Sequence, residues 1–272
     1  MLNLIPMAGG GKRFQEVGFR GPKPMVPVLG QPMVITASRS FPRADRWIFI
    51  CNSEHLQRYP LKQVLLDNFS STAMEVGIIT VDQITQGQAC TCLLAEDRMR
   101  PDEALFISSC DYQVVYDHPA YQRLLDDPTV DVIIWTFKNP LAVKKNPLAY
   151  AYCRVKDGRV VEVVEKKTVS DQPEKDPAVV GSFYFRRSEA FLAGAKKMIV
   201  KNIRVNNEFY VGTSINQLIE DGKKVVVFEV ERFISFGTPF ELKLFQYWEE
   251  YFDRLEDFDY AAQYSKYGKV KW

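Results

Sequence analysis

Residues 5–32 read IPMAGGGKRFQEVGFRGPKPMVPVLGQP, from Ile5 to Pro32. The run before them, Leu2 to Met7, is apolar apart from Asn3 and has the composition of a buried strand. Ala8, Gly9, Gly10 and Gly11 follow as a loop almost free of side chains. Glycine permits positive φ and lets a ligand approach backbone N–H groups closely. A helix beginning near Lys12 would turn its first unpaired amides toward the same anion. Lys12 adds a mobile point charge and Arg13 a rigid fork suited to phosphoryl oxygens. Ten residues on, Pro22 and Pro24 bracket Lys23 and restrict its backbone, so that a second cationic arm is aimed without entering a helix. Two cationic arms round a glycine loop suit a triphosphate, or two phosphates in one cleft. Composition alone leaves a purely structural turn open.

Neither common nucleotide loop is present. A Walker loop requires Ser or Thr after Gly-Lys, and Arg13 follows Gly11-Lys12. A dinucleotide loop requires a third glycine where Phe14 stands.

Outward from this segment the chain alternates strand and helix patterns. Met33–Phe41 reads as a short helix, Trp47–Cys51 as a strand, Leu56–Asn68 as a helix and Val76–Val81 as a strand. Gln88–Met99 reads as a helix and Ala104–Ser108 as a strand, with Asp111 just past its end. The expected fold class is α/β: a Rossmann-like, mostly parallel sheet with helices on both faces. Ligands of such sheets sit beyond the strand C-termini, where Gly9, Gln83 and Asp111 all fall. The second half is less regular, with strands at Val130–Phe137, Ala149–Val155, Val160–Val164 and Val179–Phe185. Asp157-Gly158 makes a hairpin turn, and the polar, proline-containing stretch from Lys167 to Ala178 reads as a loop or flap. Glu189–Lys197 and Val211–Asp221 are expected helices, and Val225–Val230 a final strand.

The 272 residues carry 35 basic and 34 acidic side chains, a net charge of +1, which argues against a general binder of nucleic acid or anionic membrane. No apolar run approaches a membrane span of about 18 residues, and no secretory pattern opens the chain, so a cytoplasmic protein is expected. Cys51, Cys90, Cys92, Cys110 and Cys153 have neither zinc nor redox spacing and read as reduced thiols.

The stretch from Ala8 to Pro32 resembles the signature of the sugar-phosphate nucleotidyltransferases, the sugar-nucleotide pyrophosphorylases, in their bacterial surface-polysaccharide type. Further matches follow in order: Gln83 with Gly87-Gln88-Ala89, Ser109-Cys110-Asp111, Glu165-Lys166, and Phe236-Gly237-Thr238-Pro239. Together they span residues 5 to about 242. The resemblance implies a nucleotidyltransferase-like fold with a mixed-sheet insertion in its second half. A nucleotidyltransferase domain would cover 1–242, with 1–130 as the nucleotide half and 131–242 as the acceptor half, and 243–272 would be a C-terminal helical, aromatic-rich extension. It implies transfer of a nucleoside monophosphate from a nucleoside triphosphate to a sugar phosphate or another phosphorylated small metabolite, with release of pyrophosphate and dependence on Mg2+.

Site roles are carried over residue by residue. Arg13, Lys23, Asp111 and Lys166 would be catalytic, with Asp111 also the magnesium ligand, a role consistent with the preference of Mg2+ for one carboxylate plus phosphates and water. Ala8, Gly9, Gly10, Gly11, Lys12, Gln83 and Gly87 would bind the nucleotide. Gly181 and Glu208 would face the acceptor. One position departs from the pattern: Ser235 stands where many members have an aspartate two residues before Gly-Thr-Pro, and serine is a poor magnesium ligand. The wording of the lysine loop and the compact length give a slight preference for CTP. The alternative function is a catalytically degenerate nucleotide-binding regulatory or scaffold protein. In the extension, Phe245, Trp248 and Phe252 have helical spacing, and the tyrosine-rich tail from Phe258 to Trp272 has two alternatives, packing on its own domain or on a second subunit as a homo-oligomer.

Overall fold

A computed structural model describes residues 1–138 and 140–256. In chain order the strands are β1 (Leu2–Pro6), β2 (Pro27–Val28), β3 (Gln31–Pro32), β4 (Arg46–Asn52), β5 (Glu75–Val81), β6 (Leu105–Ile107), β7 (Tyr112–Val115), β8 (Val132–Phe137), β9 (Ala151–Lys156), β10 (Arg159–Glu165), β11 (Ala178–Phe185), β12 (Val225–Glu229) and β13 (Arg232–Ser235). The helices are α1 (Lys12–Glu16), α2 (Met33–Ser38), α3 (Ser53–Arg58), α4 (Leu61–Phe69), α5 (Gln88–Leu93), α6 (His118–Asp126), α7 (Pro140–Lys145), α8 (Ser188–Val200), α9 (Val211–Glu220) and α10 (Pro239–Glu256).

Nine strands form one mixed sheet among the described residues. Its parallel part runs β6-β1-β4-β5, the register that brings Pro6 beside Ile50. β11 then lies antiparallel between β6 and β8, and β12 is parallel to β8. The β9–β10 hairpin joins at the start of β11 through Ala178 and Tyr152. Helices cover both faces, as the alternating pattern requires. One face packs against α2, α4 and α6 through residues such as Val34, Leu65 and Tyr121. The other packs against α5, α8 and α9 through Cys92, Phe191 and Ile215. The fold is the α/β arrangement expected from the sequence.

Several element boundaries differ from the sequence reading for identifiable reasons. The helix expected over 56–68 is two helices, because Tyr59, preceding Pro60, is forced into extended backbone (φ −133°, ψ 152°). The helix expected over 88–99 stops at Leu93 and resumes as a 3-10 turn at Glu96–Arg98, while Ala89, Cys92, Ala95 and Met99 keep one buried stripe through the break. Residues 112–129, where the sequence pattern predicts no element, hold β7 and α6. Asp117 was a legible N-cap there: its side chain accepts from the Ala120 amide, and Pro119 occupies the first turn. On α10, Leu242 and Phe245 pack inward, but Trp248 is 48% exposed and is not on the packing face. Six helical residues past Leu242, it points about 120° away round the axis. The Phe252 side chain and the tail from Phe258 lie outside what is described.

Candidate functional site

A cavity of about 410 Å³ opens at the C-terminal end of β1. Three stretches of chain line it: Pro6 to Pro24 through the glycine loop, Ser109-Cys110-Asp111 past β6, and Gly237 after β13. Gly9, Gly11, Lys12, Arg13, Lys23 and Asp111, each singled out from the sequence, share this lining.

The local geometry explains their meeting. Gly11 caps α1 in left-handed backbone (φ +62°), and a Cβ there would lie 3.2 Å from the Lys23 Cβ, so its bare backbone lets the lysine segment lie against the loop. Proline fixes the approach from the other side: Pro22 precedes a 3-10 turn at Lys23–Met25, closed by the Met25 amide donating to the Pro22 carbonyl at 2.9 Å. The β2–β3 hairpin then returns the chain to α2, whose first amide, Met33, donates to Val26. Gly9 and Gly10 have no positive φ, and an added Cβ at either meets no protein atom within 4 Å. Nothing in the protein's own packing demands glycine at these two places. α1 has only five residues, so its dipole is small and the anion-holding amides belong mainly to the loop.

At the centre, the Lys23 Nζ donates to Asp111 Oδ2 at 2.5 Å, and the Ser109 hydroxyl donates to Asp111 Oδ1 at 2.5 Å. Burial works to lower the Lys23 pKa, but the Asp111 carboxylate outweighs it and the ammonium is held above its usual range. Burial likewise works to raise Asp111, and Lys23 with the hydrogen bonds carries its carboxyl below the ordinary value. β13 lies antiparallel to β7, pairing Ser235 with Tyr112, and the Phe236 amide donates to the Asp111 carbonyl at 3.0 Å. Gly237 therefore sits on the carboxylate: a Cβ there would be 2.8 Å from Oδ2 and 3.6 Å from the Ser235 Oγ. The position that departs from the family pattern is thus beside Asp111. Among the described residues no three His, Cys, Asp or Glu side chains cluster as a metal site. A single carboxylate on an open cleft nevertheless fits magnesium that arrives with a polyphosphate, since the phosphates and water supply the other oxygens.

The remaining sequence candidates lie outside this lining. Ala8 is nearly buried, and the Gly10 carbonyl accepts from the Gln15 side chain at 2.9 Å. Gln83 is exposed on the loop after β5. Gly87 (φ +127°) is pressed against the chain at Phe209, where a Cβ would come within 2.5 Å of the Phe209 nitrogen. Glu208, exposed, exchanges backbone hydrogen bonds with Val205 and shares a hydrogen bond with the Tyr210 hydroxyl. Lys166 donates to the Ala149 carbonyl, with its Nζ 6.0 Å from the Tyr210 ring centroid. Gly181 (φ +105°) lies within the register shift in β11, where an added Cβ would be 3.6 Å from the Tyr112 hydroxyl.

Sequence reasoning missed two features. Glu165 was quoted beside Lys166 without a role, yet burial pushes its carboxyl up to about 7, against the lowering effect of Lys166. The start of α9 closes over it: a Cβ on Gly212 would lie 2.5 Å from Glu165 Oε1, so only glycine allows that approach. The second is a buried trio of hydroxyls, Ser108, Tyr112 and Ser182, mutually hydrogen-bonded at 2.7–2.9 Å beneath Gly181. No spacing rule links those three positions.

Comparison with known proteins follows the same outline. The family model described as "Nucleotidyl transferase" matches residues 2–250. No curated protein matches the sequence. The crystal structure of a nucleoside-diphosphate-sugar pyrophosphorylase from Vibrio cholerae RC9 is similar with a TM-score of 0.72 at 20% identity, covering 90% of this chain and 99% of that one. The inositol-1-phosphate CTP transferase from T. maritima has a TM-score of 0.67 at 15% identity, covering 90% and 93%. A UDP-glucose pyrophosphorylase complexed with UDP-glucose has a TM-score of 0.67 at 17% identity, covering 92% and 98%.

Proposed function

The chain belongs to the nucleotidyl transferase family, which moves a nucleoside monophosphate from a nucleoside triphosphate to a phosphorylated acceptor and releases pyrophosphate, and from that premise we propose how its own cleft does so. The Gly9–Gly11 loop cradles the polyphosphate, with Lys12 and Arg13 on the β and γ phosphates. Lys23 serves the α-phosphate, and Lys166 with Glu165 faces the acceptor. An oxygen of the acceptor phosphate attacks the α-phosphorus, the bond to the β-phosphate oxygen breaks, and pyrophosphate carries away the electron pair. The nucleophile is already anionic, so no proton need be removed and no covalent enzyme intermediate is required. The protein's work is to hold two anions in line and compensate their charge.

The observation that carries this reading is the Lys23–Asp111 pair facing the glycine loop across the cleft. Each member is held charged by the other, so a nucleotide can exchange one anionic partner of Lys23 for another while Asp111 becomes available. Asp111 is the residue that would hold magnesium, which when bound supplies dense positive charge among the phosphate oxygens. The open space over Gly9 and Gly10 supports close approach of phosphate to their amides. CTP is the preferred donor, in line with the inositol-1-phosphate CTP transferase of T. maritima, and a sugar phosphate or phosphorylated polyol is the acceptor class.

The test is pyrophosphate release and product mass with magnesium, comparing CTP, dTTP, UTP, GTP and ATP over a pooled panel of sugar and polyol phosphates. Pyrophosphate with a new nucleoside-diphosphate-linked mass, strongest with CTP, is the expected result. Nucleotide binding without pyrophosphate across a broad panel would instead support the degenerate binder, and release of nucleoside diphosphate a phosphotransferase.

A further inference from the structure

Helix α10 turns one side to the core and another to solvent. Leu242 is buried and Phe245 packs against the core, whereas Phe240, Leu244, Tyr247 and Tyr251 are 59%, 47%, 60% and 45% exposed. Large apolar side chains exposed singly are ordinary, but four along one helix face mark an interaction surface. Lys145 of α7 lies 3.8 Å over the Phe240 ring and still leaves it that open.

The spacing of the four says what they fit. They follow one another at intervals of four, three and four residues, the alternation of d and a positions along a coiled-coil seam. A repeat averaging about 3.5 residues stays in line only against another helix, with which it winds. Leu244 and Tyr251 take a positions, Phe240 and Tyr247 d positions, and the seam is about 16 Å long. Leu242 and Phe245 then fall at f and b, on the far side of the helix, so packing on its own domain leaves the seam clear.

The charges beside the seam choose the partner and its direction. Lys243 and Glu250 occupy successive g positions, both are exposed, and neither has an ion pair or hydrogen bond among the described residues. Take two copies of α10 running antiparallel about a twofold axis between residues 245 and 246. Phe240 then lies opposite the partner's Tyr251 and Leu244 opposite the partner's Tyr247. The same register sets Lys243 beside the partner's Glu250, once at each end. At the e positions Glu241 meets the partner's Trp248, so no like charges face each other. A parallel pair would instead set Lys243 beside the partner's Trp248 and lose both ion pairs.

We propose that α10 is a homodimer contact, two copies joining antiparallel along the Phe240, Leu244, Tyr247 and Tyr251 seam with register fixed by reciprocal Lys243–Glu250 pairs. The surface is complementary to itself, as a twofold contact requires. A seam of this length is small for a permanent dimer, so a reversible association in the micromolar range is expected.

The test is sedimentation velocity of the full chain from about 1 to 100 µM, where a species of twice the chain mass should grow with concentration. Leu244→Asp with Tyr247→Asp should leave only monomer. Lys243→Glu and Glu250→Lys should each weaken the dimer about tenfold or more, because each turns two attractions into two repulsions. Combined in one chain, the two reversals should restore the parental affinity, since the pairs re-form with their signs exchanged. The substituted side chains are exposed, so an unchanged thermal midpoint will show that each variant folds. A chain monomeric throughout that range, as coverage of the seam by the residues beyond Glu256 would make it, would overturn the proposal. So would a dimer indifferent to the two aspartates, or single charge reversals that the double variant fails to rescue.

Discussion

At the scale of single residues, the Lys23–Asp111 pair carries the proposed chemistry and sets a pH window. Asp111 titrates below its ordinary 3.8 in the fold, so the unfolded chain binds its proton more tightly. Its stabilisation is complete above the ordinary carboxylate value and is lost as pH falls through the folded value. Lys23 titrates above its ordinary 10.5, so its stabilisation is complete below that value and is lost as pH rises through the folded one. Asp111→Asn should therefore cost about 2 kcal/mol at pH 7 in urea unfolding, by leaving the ammonium uncompensated, and should flatten the acid limb of the stability profile. Pyrophosphate release should fall about 10²-fold or more, and near-normal turnover in a folded variant would remove Asp111 from the mechanism. Glu165 has the opposite sign. With its carboxyl raised from 4.5 to about 7 by burial, the fold binds the proton more tightly, and stability falls as pH rises from about 4.5 to 7. Glu165→Gln should be more stable than the parent by about 1–3 kcal/mol at pH 8 and indistinguishable from it below pH 4.5. Equal stability at both pH values would show that the carboxyl titrates normally.

At the scale of elements, two loops are joined into one piece. The Phe209 amide donates to the Gln86 carbonyl at 2.9 Å, and the Ala89 amide to the Phe209 carbonyl at 3.0 Å, one on each side of Gly87. Arg204 reinforces the join from outside, donating to Gln86 Oε1 at 2.6 Å while stacking 4.1 Å over the Phe209 ring. The loop bearing Gln83 and the loop bearing Glu208 therefore move together. Gly87→Ala combines a disfavoured φ with a backbone clash and should cost about 3 kcal/mol, raising the KM for nucleotide and acceptor alike. Arg204→Ala, on an exposed side chain, should cost less than about 1 kcal/mol in stability. A Gly87→Ala protein of parental stability would show that the loops can part freely. This clip also marks the limit of legibility. The glycine loop, Lys23 and Asp111 could be read because each is a local composition signal at a strand end. The contact of Gly87 with Phe209 spans more than a hundred residues and rests on backbone shape, which no side-chain pattern encodes. The break at Tyr59-Pro60 is legible from the proline, although the apolar spacing runs through it. β7 and β13 are not legible in the sequence, because both are four residues long and, among the described residues, pair only with each other.

At the scale of the molecule, the question is whether the stretches 1–130 and 131–242 are separable. The sheet argues that they are not. β6, from the first stretch, carries β11 on its outer edge through Ile107–Phe183, Phe106–Tyr184 and Leu105–Phe185, and all six side chains are buried. Removing β11 would expose that edge together with the faces that α8 and α9 cover, a hydrophobic surface that invites association. The cleft crosses the same divide. Gly237 completes its lining, and the Phe236 amide fixes the Asp111 backbone, so a fragment ending near residue 130 lacks one wall of its own site. The described chain should accordingly unfold in a single cooperative step, with calorimetric and van't Hoff enthalpies in agreement. Residues 1–130 expressed alone should aggregate or remain uncooperative, and co-expression with 131–272 should restore a soluble complex that binds nucleotide. A fragment 1–130 with a dispersed amide spectrum and its own sharp melting transition would instead make the nucleotide half an independent domain, with β11 and Gly237 as later additions to a site already formed.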